Sequence, residues 1–403
     1  RGRVRHPPSG DRSARPVRRL RLGFAASAKT GASDRAKSKR SWLMWALLAA
    51  VCMAVPHATR AVPFTSGIER TIHDVYRYVL APQVEQPGGD PDIALVVYTD
   101  SVARAAQKYN PVDRTMLARV LKTIEQAGAR AVAIDMIFTV PTADEQALID
   151  TLAQMRIPVF LAYADPAHDR IAYWDIEVDA DARAYQDQFH RRIASGPITA
   201  VSPAVGSDES GVMRRWPVLG RESEPEQEQY SGVTPEAAKT VPLAYAMAGL
   251  EGPYYDGAIR YQRLSGKTQE SEQSEANAVF PTFSFDLLLD PDLSPVFLPE
   301  LKGRFVLIGA DTFNDDQHVT PISRIAGDPR VAGVSIHAQM LRQALDGVFP
   351  PPFPLPALLA LTLAVSLAGA ASALVERRGA VLGVLALIQF AGLASAPIAL
   401  SLS

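Results

Sequence analysis

Cysteine is nearly absent from this chain of 403 residues, which holds a single one, Cys52, inside an apolar run. One cysteine excludes a disulfide framework and a cysteine-based zinc site. The motifs of several common enzyme classes are missing as well, because no GxSxG elbow, no P-loop and no GxGxxG follows a predicted strand. We therefore expect neither a cofactor nor a nucleophilic triad.

Charge is unevenly distributed, although the net charge of the whole chain is only −2. Residues 1–40 contain 13 Lys/Arg and two Asp/Glu, so this part is strongly basic. Residues 41–354 contain 26 Lys/Arg and 40 Asp/Glu, so this part is acidic. Such asymmetry indicates that the two parts face different compartments or partners. A basic tail can bind nucleic acid, but beside an apolar segment affinity for anionic membrane lipid is the simpler interpretation. We expect residues 1–40 to form a cytoplasmic tail, with membrane lipid and not nucleic acid as its partner.

Three apolar segments predict helices that cross a membrane, at residues 41–61, 354–375 and 380–401. The uncharged part of the first segment is short, because a span of about 30 Å takes roughly 20 residues. A signal peptide cleaved near Ala61 is therefore the alternative to a membrane anchor there. The last two segments are long enough to span the membrane as a helical hairpin.

The positions of basic residues predict how these helices are oriented. Arg377 and Arg378 lie in the turn between the last two segments, and such residues favour the cytoplasmic side. With residues 1–40 also inside, residues 62–353 form one extracytoplasmic domain, in the periplasm of a multi-pass protein of the bacterial inner membrane. The last helix then runs outward to Ser403, so we expect a further cytoplasmic module beyond it.

Alternating strand and helix patterns predict an α/β fold for the extracytoplasmic domain. Ile93–Thr99 and Ala131–Phe138 are β-branched apolar runs, typical of strands buried on both faces. Between them, Asn110 and Pro111 predict the start of a helix that ends near Gly128. This βαβ unit predicts parallel strands, and the whole pattern a mixed, mostly parallel sheet covered by helices. Further helices are predicted at 144–155, 242–250 and 335–345, and further strands at 158–163 and 304–308. Exposed loops are predicted at 221–236 and 265–277. Residues 166–200 have no assignment.

Six segments carry a resemblance to a known family. They are IALVVYTD (93–100), NPVDRTMLARVLKTIEQAGARAVAIDMIF (110–138), SDESGVMRRWPV (207–218), LKGRFVLIGA (301–310), DDQHVTP (315–321) and AGVSIHAQMLRQAL (332–345). The chain resembles the extracellular sensory domain of the second CHASE type (cyclase/histidine-kinase-associated sensory extracellular). The resemblance implies one membrane helix before the domain, three after it, and a cytoplasmic signalling module. This chain ends after two of those three helices.

Polar residues are expected to meet where the parallel strands end, because ligands of open α/β sheets bind outside the carboxyl ends of the strands. The candidate ligand-binding residues are Asp100, Asp135, Asp315, His318, Thr320 and His337. Asp100 could instead cap the turn after its strand, and the loop from Asp315 to Pro321 could be a turn held by its own side chains.

Other residues of the resembling segments are expected to support the fold. Asp135 lies in an apolar strand, and a buried carboxylate needs a partner. Arg114 matches the arginine of the family, so we expect a buried Asp135–Arg114 pair. Structural roles are also expected for Asp208, Gly211, Arg214, Gly309 and Pro321.

Two functions follow as alternatives. The first is a sensory input region, a homodimer that couples a small-molecule or physical stimulus to a cytoplasmic nucleotide cyclase, or next a histidine or Ser/Thr kinase. Since histidines titrate near neutral pH, His318 and His337 could also respond to protons. The second is a membrane-tethered extracytoplasmic metal-dependent hydrolase that uses His318 and Asp315, with Asp315, His318 and His337 as the oxygen and nitrogen ligands of the metal.

Overall fold

A seven-stranded sheet with helices on both faces organises the described part of the chain. The computed structural model describes residues 63–109, 111–164, 180–207, 210–217, 240–265, 279–313, 316–327 and 330–351, with a few single positions up to 364. The fold is mixed α/β with a mostly parallel sheet, as the alternating pattern predicts.

The elements follow each other in a regular alternation over most of this part. The helices are α1 (Pro63–Leu80), α2 (Asp100–Ala106), α3 (Arg114–Gln126), α4 (Glu145–Gln154), α5 (Ala180–Ile193), α6 (Leu243–Ala248), α7 (Phe285–Leu289), α8 (Ser294–Phe297), α9 (Pro321–Ala326) and α10 (Gly333–Leu345). The strands are β1 (Gln83–Val84), β2 (Ile93–Thr99), β3 (Ala131–Asp135), β4 (Val159–Ala162), β5 (Ile198–Ser202), β6 (Gly206–Ser207), β7 (Met213–Arg215), β8 (Val241–Pro242), β9 (Arg263–Leu264), β10 (Thr282–Ser284), β11 (Phe305–Asp311), β12 (Gln317–His318) and β13 (Val331–Ala332).

The strands of the main sheet run in the order β10-β2-β11-β3-β4-β5-β8, and all of them are parallel. The predicted strands β2 and β3 are parallel but not neighbours, because β11 lies between them and pairs with both. The antiparallel pairs are small and lie outside this sheet, between β12 and β13 and between β6 and β7.

The hydrophobic core has two halves, one on each face of the sheet. Along β2, Ile93 and Leu95 belong to one half and Ala94 and Val96 to the other, as the alternation of side chains along a strand requires. Helices α6 and α10 cover the first face, and α3, α4, α5 and α7 cover the second. Burial on both faces explains why β2 is apolar at every position from Ile93 to Tyr98.

The start of α3 differs from the sequence prediction. Asp113 is its N-cap, and the carboxylate of Asp113 accepts the N–H of Met116 at 2.8 Å. The helix therefore begins at Arg114, and the predicted start at Pro111 is wrong by one turn. Asn110, the predicted cap, lies outside the described residues.

The buried pair of Asp135 and Arg114 is a wrong prediction. Arg114 is fully buried, but it forms its ion pair with Glu145 at 2.8 Å and also donates to the hydroxyl of Tyr185. Its guanidinium packs against the ring of Phe138, 5.0 Å from the centroid. Arg114 stands at the first turn of α3 and Glu145 at the first turn of α4, so the pair ties two helices together. Among the described residues, no Lys or Arg pairs with the carboxylate of Asp135.

Several predicted elements are confirmed with shifted ends. Strand β2 has the predicted bounds, while β3 ends at Asp135 and not at Phe138. The unassigned region contains α5 and β5, and α5 buries Tyr185, Phe189 and Ile193 at intervals of four residues. The predicted loops at 221–236 and 265–277 lie outside the described residues, except for Ser265.

The predicted membrane helices cannot be compared with the structure. Residues 41–61 and 380–401 lie entirely outside the described residues, as does most of 354–375. Among the helices that the structure describes, none has both the length and the apolar character of a membrane span.

Candidate functional site

The candidate site lies at the carboxyl edge of the sheet, where β2, β3 and β11 end side by side. Because these strands are parallel, their last residues meet at one edge. Asp100 follows β2, Asp135 ends β3 and Asp311 ends β11. The chain after β11 then forms a loop with β12 before α9, and α10 starts beside it.

Asp135 and His337 form the buried part of this site. The Nε2 atom of His337 lies 3.7 Å from Oδ1 of Asp135 and 3.0 Å from the carbonyl oxygen of Pro203. Since a carbonyl oxygen only accepts, Nε2 of His337 carries the hydrogen. The His337 side chain is 2% exposed and the Asp135 side chain 8% exposed. Oδ2 of Asp135 and Nδ1 of His337 have no hydrogen-bond partner within the described part of the chain.

Burial shifts the titration of both groups toward their neutral forms. Burial raises the pKa of Asp135 well above its ordinary value, and the negative charge of Asp316 raises it further. Burial lowers the pKa of His337 to about 4, although Asp316 and the bond to Pro203 act in the opposite direction. The prediction that His337 titrates near neutral pH is therefore wrong, because its imidazole stays neutral down to about pH 4. The site thus presents two buried, unsatisfied hydrogen-bonding atoms on adjacent side chains.

Asp316 and His318 form the outer part of the site. Nε2 of His318 lies 2.7 Å from Oδ1 of Asp316, and both side chains are partly exposed. Asp316 has a left-handed backbone with φ of 54°, and its carbonyl accepts the N–H of Gly333 at 3.0 Å. A Cβ at Gly333 would collide with the Asp316 carboxylate. This fit holds the loop against the start of α10.

Two other predicted ligand-binding residues have structural contacts in the described part of the chain. Asp100 accepts the backbone N–H of Phe313 at 2.9 Å, which joins the ends of β2 and β11. It does not cap the helix after its strand, because Thr99 is the N-cap of α2. Thr320 is fully buried and caps α9 reciprocally with Ser323, while Pro321 stands at the first position of that helix.

The segment with Gly211 and Arg214 joins the site loop to α1. Gly211 has φ of +71°, and the next residues contact the loop, since the N–H of Met213 donates to the carbonyl of Val319 at 2.8 Å. Arg214 donates from Nε and Nη2 to both carboxylate oxygens of Asp74, each at 2.7 Å. Both side chains of this ion pair are buried.

Gly309 allows β11 and α10 to approach closely. A Cβ at this position would lie 2.9 Å from Cγ2 of Val334 and closer still to its Cβ. Only glycine fits between the strand and the start of the helix that carries His337.

Asp208 and Asp315 lie outside the described residues, so their predicted roles stay predictions. Among the described residues, no group of three or more His, Cys, Asp or Glu side chains could hold a metal ion. The predicted metal centre includes Asp315, and the metal-dependent hydrolase also stays a prediction.

Two components of this site are not predicted by the sequence, the carboxylate of Asp316 and the carbonyl of Pro203. Asp315 and Asp316 are neighbours in the loop, and no sequence signal indicates that Asp316 is the one that contacts His318. The carbonyl of Pro203 follows β5, in a region with no clear pattern. A backbone acceptor has no sequence signal of its own, and only the folded chain brings it to His337.

A family model described as the CHASE2 domain matches residues 46–373, which is most of the chain. No curated protein and no solved structure matches it with significant similarity.

Proposed function

Because the chain belongs to the CHASE2 domain family, the extracellular sensory domains of signalling receptors, we propose that residues 62–353 are the periplasmic input region of a bacterial transmembrane receptor. Helices at 41–61, 354–375 and 380–401 hold this region in the inner membrane. A cytoplasmic output module, a nucleotide cyclase or next a histidine or Ser/Thr kinase, receives the signal. The family match carries this proposal, and the charge distribution supports the orientation.

The input site of this sensor is the pair of Asp135 and His337. Two adjacent, buried side chains leave Oδ2 and Nδ1 without partners in the described chain, and an unsatisfied buried polar atom costs about 1–3 kcal/mol. A ligand that supplies the missing hydrogen bonds recovers part of that cost. This observation supports the choice of Asp135 and His337 over Asp100, His318 and Thr320, whose side chains already have hydrogen-bond partners.

The chemistry of the site favours a small ligand with N–H or O–H donors. Nδ1 of the neutral His337 ring is an acceptor, because Nε2 carries the hydrogen. The surrounding edge carries the carboxylates of Asp100, Asp311 and Asp316, which add negative potential. An amine or a polyhydroxy compound suits such an edge better than an anion.

The site is connected to the membrane through α10. His337 lies on this helix, and Asp135 lies on the central sheet, so a bound ligand that bridges the two changes the preferred position of α10. The chain leaves α10 at Leu345 and continues toward the membrane segment at 354–375. A stimulus that favours one helix position tenfold supplies about 1.4 kcal/mol, which is a typical coupling free energy.

The first test is the open reading frame beyond Ser403. We expect a third membrane helix followed by a cyclase or kinase domain. A stop codon at that point contradicts the receptor proposal and favours the tethered hydrolase.

The second test measures output in the full-length receptor with Asp135→Asn or His337→Gln. Both substitutions change the buried site with little change of volume, so we expect a folded, membrane-inserted receptor whose basal output is shifted or fixed. Asp181→Asn, an exposed carboxylate on α5, is the matched control and should leave output unchanged. Normal output and normal stimulus response in both site variants would refute the assignment of the input site. Reduced folding with normal output in the surviving receptor would assign the two residues to structure.

A further inference from the structure

Helix α1 has an apolar stripe that the rest of the described chain does not cover. Ile72, Val75 and Val79 are 44%, 42% and 59% exposed. Exposure of this size at three β-branched residues of one helix is unusual for a surface that meets only water.

The opposite side of α1 is firmly attached to the domain. Asp74 is fully buried in its ion pair with Arg214, and Arg77 donates to the carbonyl of Arg214 at 2.8 Å. Ala81, just after the helix, belongs to the core, and α1 packs against α9. The stripe is therefore held in a fixed orientation that points away from the domain.

The spacing of the stripe matches the seam of a coiled coil. Ile72, Val75 and Val79 are separated by three and four residues, so they occupy the a, d and a positions of a heptad. Asp74 and Arg77 then occupy positions c and f, which lie on the far side of a coiled-coil helix. The buried residues of α1 thus occupy outer positions of the heptad, and the exposed residues occupy the seam positions. This is the arrangement that a coiled coil with a partner helix requires.

We infer that this stripe packs in parallel against the same stripe of a second copy of the chain. The positions that flank the seam are Thr71, Tyr76 and Tyr78, none of which is charged, so two identical helices meet without like-charge repulsion. A heptad seam is self-complementary, because each a and d residue meets its own counterpart in a parallel pair.

Tethering in the membrane makes the second copy a suitable occupant. The inference rests on the proposed anchor at 41–61, which ends immediately before α1 and places the stripes of two copies at the same height in one orientation. A specific interface in solution buries roughly 800 Å² on each partner, more than three side chains supply. Two copies held in one membrane need less, because confinement to one plane and one orientation reduces the translational and rotational freedom that association removes.

Disulfide cross-linking of the full chain in membranes tests this pairing. In a Cys52→Ser background, Val75→Cys and Val79→Cys introduce single cysteines on the seam, and Leu80→Cys is the matched control. Leu80 is also exposed, at 47%, but it occupies position b and faces away from the seam. Because a disulfide requires Cβ atoms about 4 Å apart, mild oxidation should yield covalent dimers with the two seam variants and not with Leu80→Cys.

A charge on the seam provides a second measurement that does not depend on oxidation. Val75→Glu places two carboxylates opposite each other, so we expect loss of the dimer in membranes. The residue is exposed, so the melting temperature of the domain should change little. Val296→Glu, at a residue of α8 that is 65% exposed, introduces the same charge elsewhere and should leave the dimer intact.

The other outcomes overturn the proposal in distinguishable ways. Seam cysteines that do not cross-link and react freely with a water-soluble maleimide indicate an open surface. Cysteines protected in membranes but reactive in detergent indicate contact with lipid, and protection in both indicates cover by residues 352–403 of the same chain. Equal cross-linking at all three positions indicates random collision. A chain absent from the membrane fraction refutes the proposed anchor and with it the pairing, because three side chains are too few to join untethered copies.

Discussion

At the scale of single residues, Asp135 and His337 give the stability of the domain opposite dependences on pH. The folded pKa of His337 is about 4, below its ordinary value of 6.5, so the unfolded chain binds more protons between these limits. Stability from this group is therefore lost as pH falls from about 6.5 to 4. The folded pKa of Asp135 is raised, so its contribution is present at low pH and is lost as pH rises through the folded pKa.

His337→Gln should flatten the pH dependence of unfolding. A shift from 6.5 to about 4 corresponds to roughly 3 kcal/mol. Between pH 7 and pH 4, the variant should thus lose roughly 3 kcal/mol less stability than the unaltered chain. Urea unfolding of the full chain in detergent at a series of pH values measures this difference. Asp135→Asn should deviate in the opposite direction, gaining stability relative to the unaltered chain as pH rises. Parallel curves for His337→Gln and the unaltered chain would contradict the buried, neutral histidine.

The sequence predicts that Asp135 is special but not what it contacts. A carboxylate in an apolar strand must have a special environment, so the sequence pattern singles out Asp135. The predicted partner Arg114 is wrong, because the partner of a buried carboxylate depends on which helices pack together. Arg114 is buried between α3 and α4 and meets Glu145, whose position in the first turn of α4 is close only in the folded chain. His337, identified as a candidate on α10, is the group that Asp135 approaches.

At the scale of elements, the close contact of β11 and α10 depends on a single missing side chain. Gly309 lies against Val334, and the added methyl group of an alanine has no room there. This contact fixes the height of α10 over the sheet and hence the distance between His337 and Asp135.

Gly309→Ala should therefore destabilise the domain by about 1–3 kcal/mol, the usual cost of overpacking. In a Val334→Ala background the new methyl group fills the vacated space, so the same substitution should cost much less. A double-mutant cycle by thermal unfolding measures this coupling. Gly67→Ala is the control, because open space surrounds that position in α1 and alanine favours a helix by about 0.5–1 kcal/mol. Equal costs of Gly309→Ala in both backgrounds would show that Val334 is not the obstacle.

The elements that sequence patterns predict best are those with continuous or periodic burial. Strand β2 is buried from Ile93 to Tyr98, and its predicted bounds are correct. Helix α5 was not predicted, because it buries only a narrow row of side chains among many charged residues. The insertion of β11 between β2 and β3 was equally invisible, since strand order in a sheet depends on long-range packing and not on local pattern.

At the scale of the whole molecule, both ends of the domain are connected to the site loop. Helix α1, which follows the predicted anchor, is bound through Asp74 to Arg214, and the neighbouring Met213 bonds to Val319 in the loop. Helix α10, which precedes the next predicted membrane segment, carries His337. A change at the proposed site is therefore expected to act on the two helices that adjoin the predicted membrane segments.

This coupling requires that the domain lies outside the membrane with both connections passing into it. A reporter that is active only in the periplasm should be active when fused after Gly347 and inactive when fused at Gly379. The physical reason is the retention of Arg377, Arg378 and the basic residues 1–40 on the cytoplasmic side. If the first segment is a cleaved signal peptide, the fusion after Gly347 is still active but appears in the soluble periplasmic fraction. That result would preserve the location of the sensor and remove the first membrane connection, leaving α10 as the route to the membrane. The opposite activity pattern would place the domain in the cytoplasm and contradict the proposed receptor.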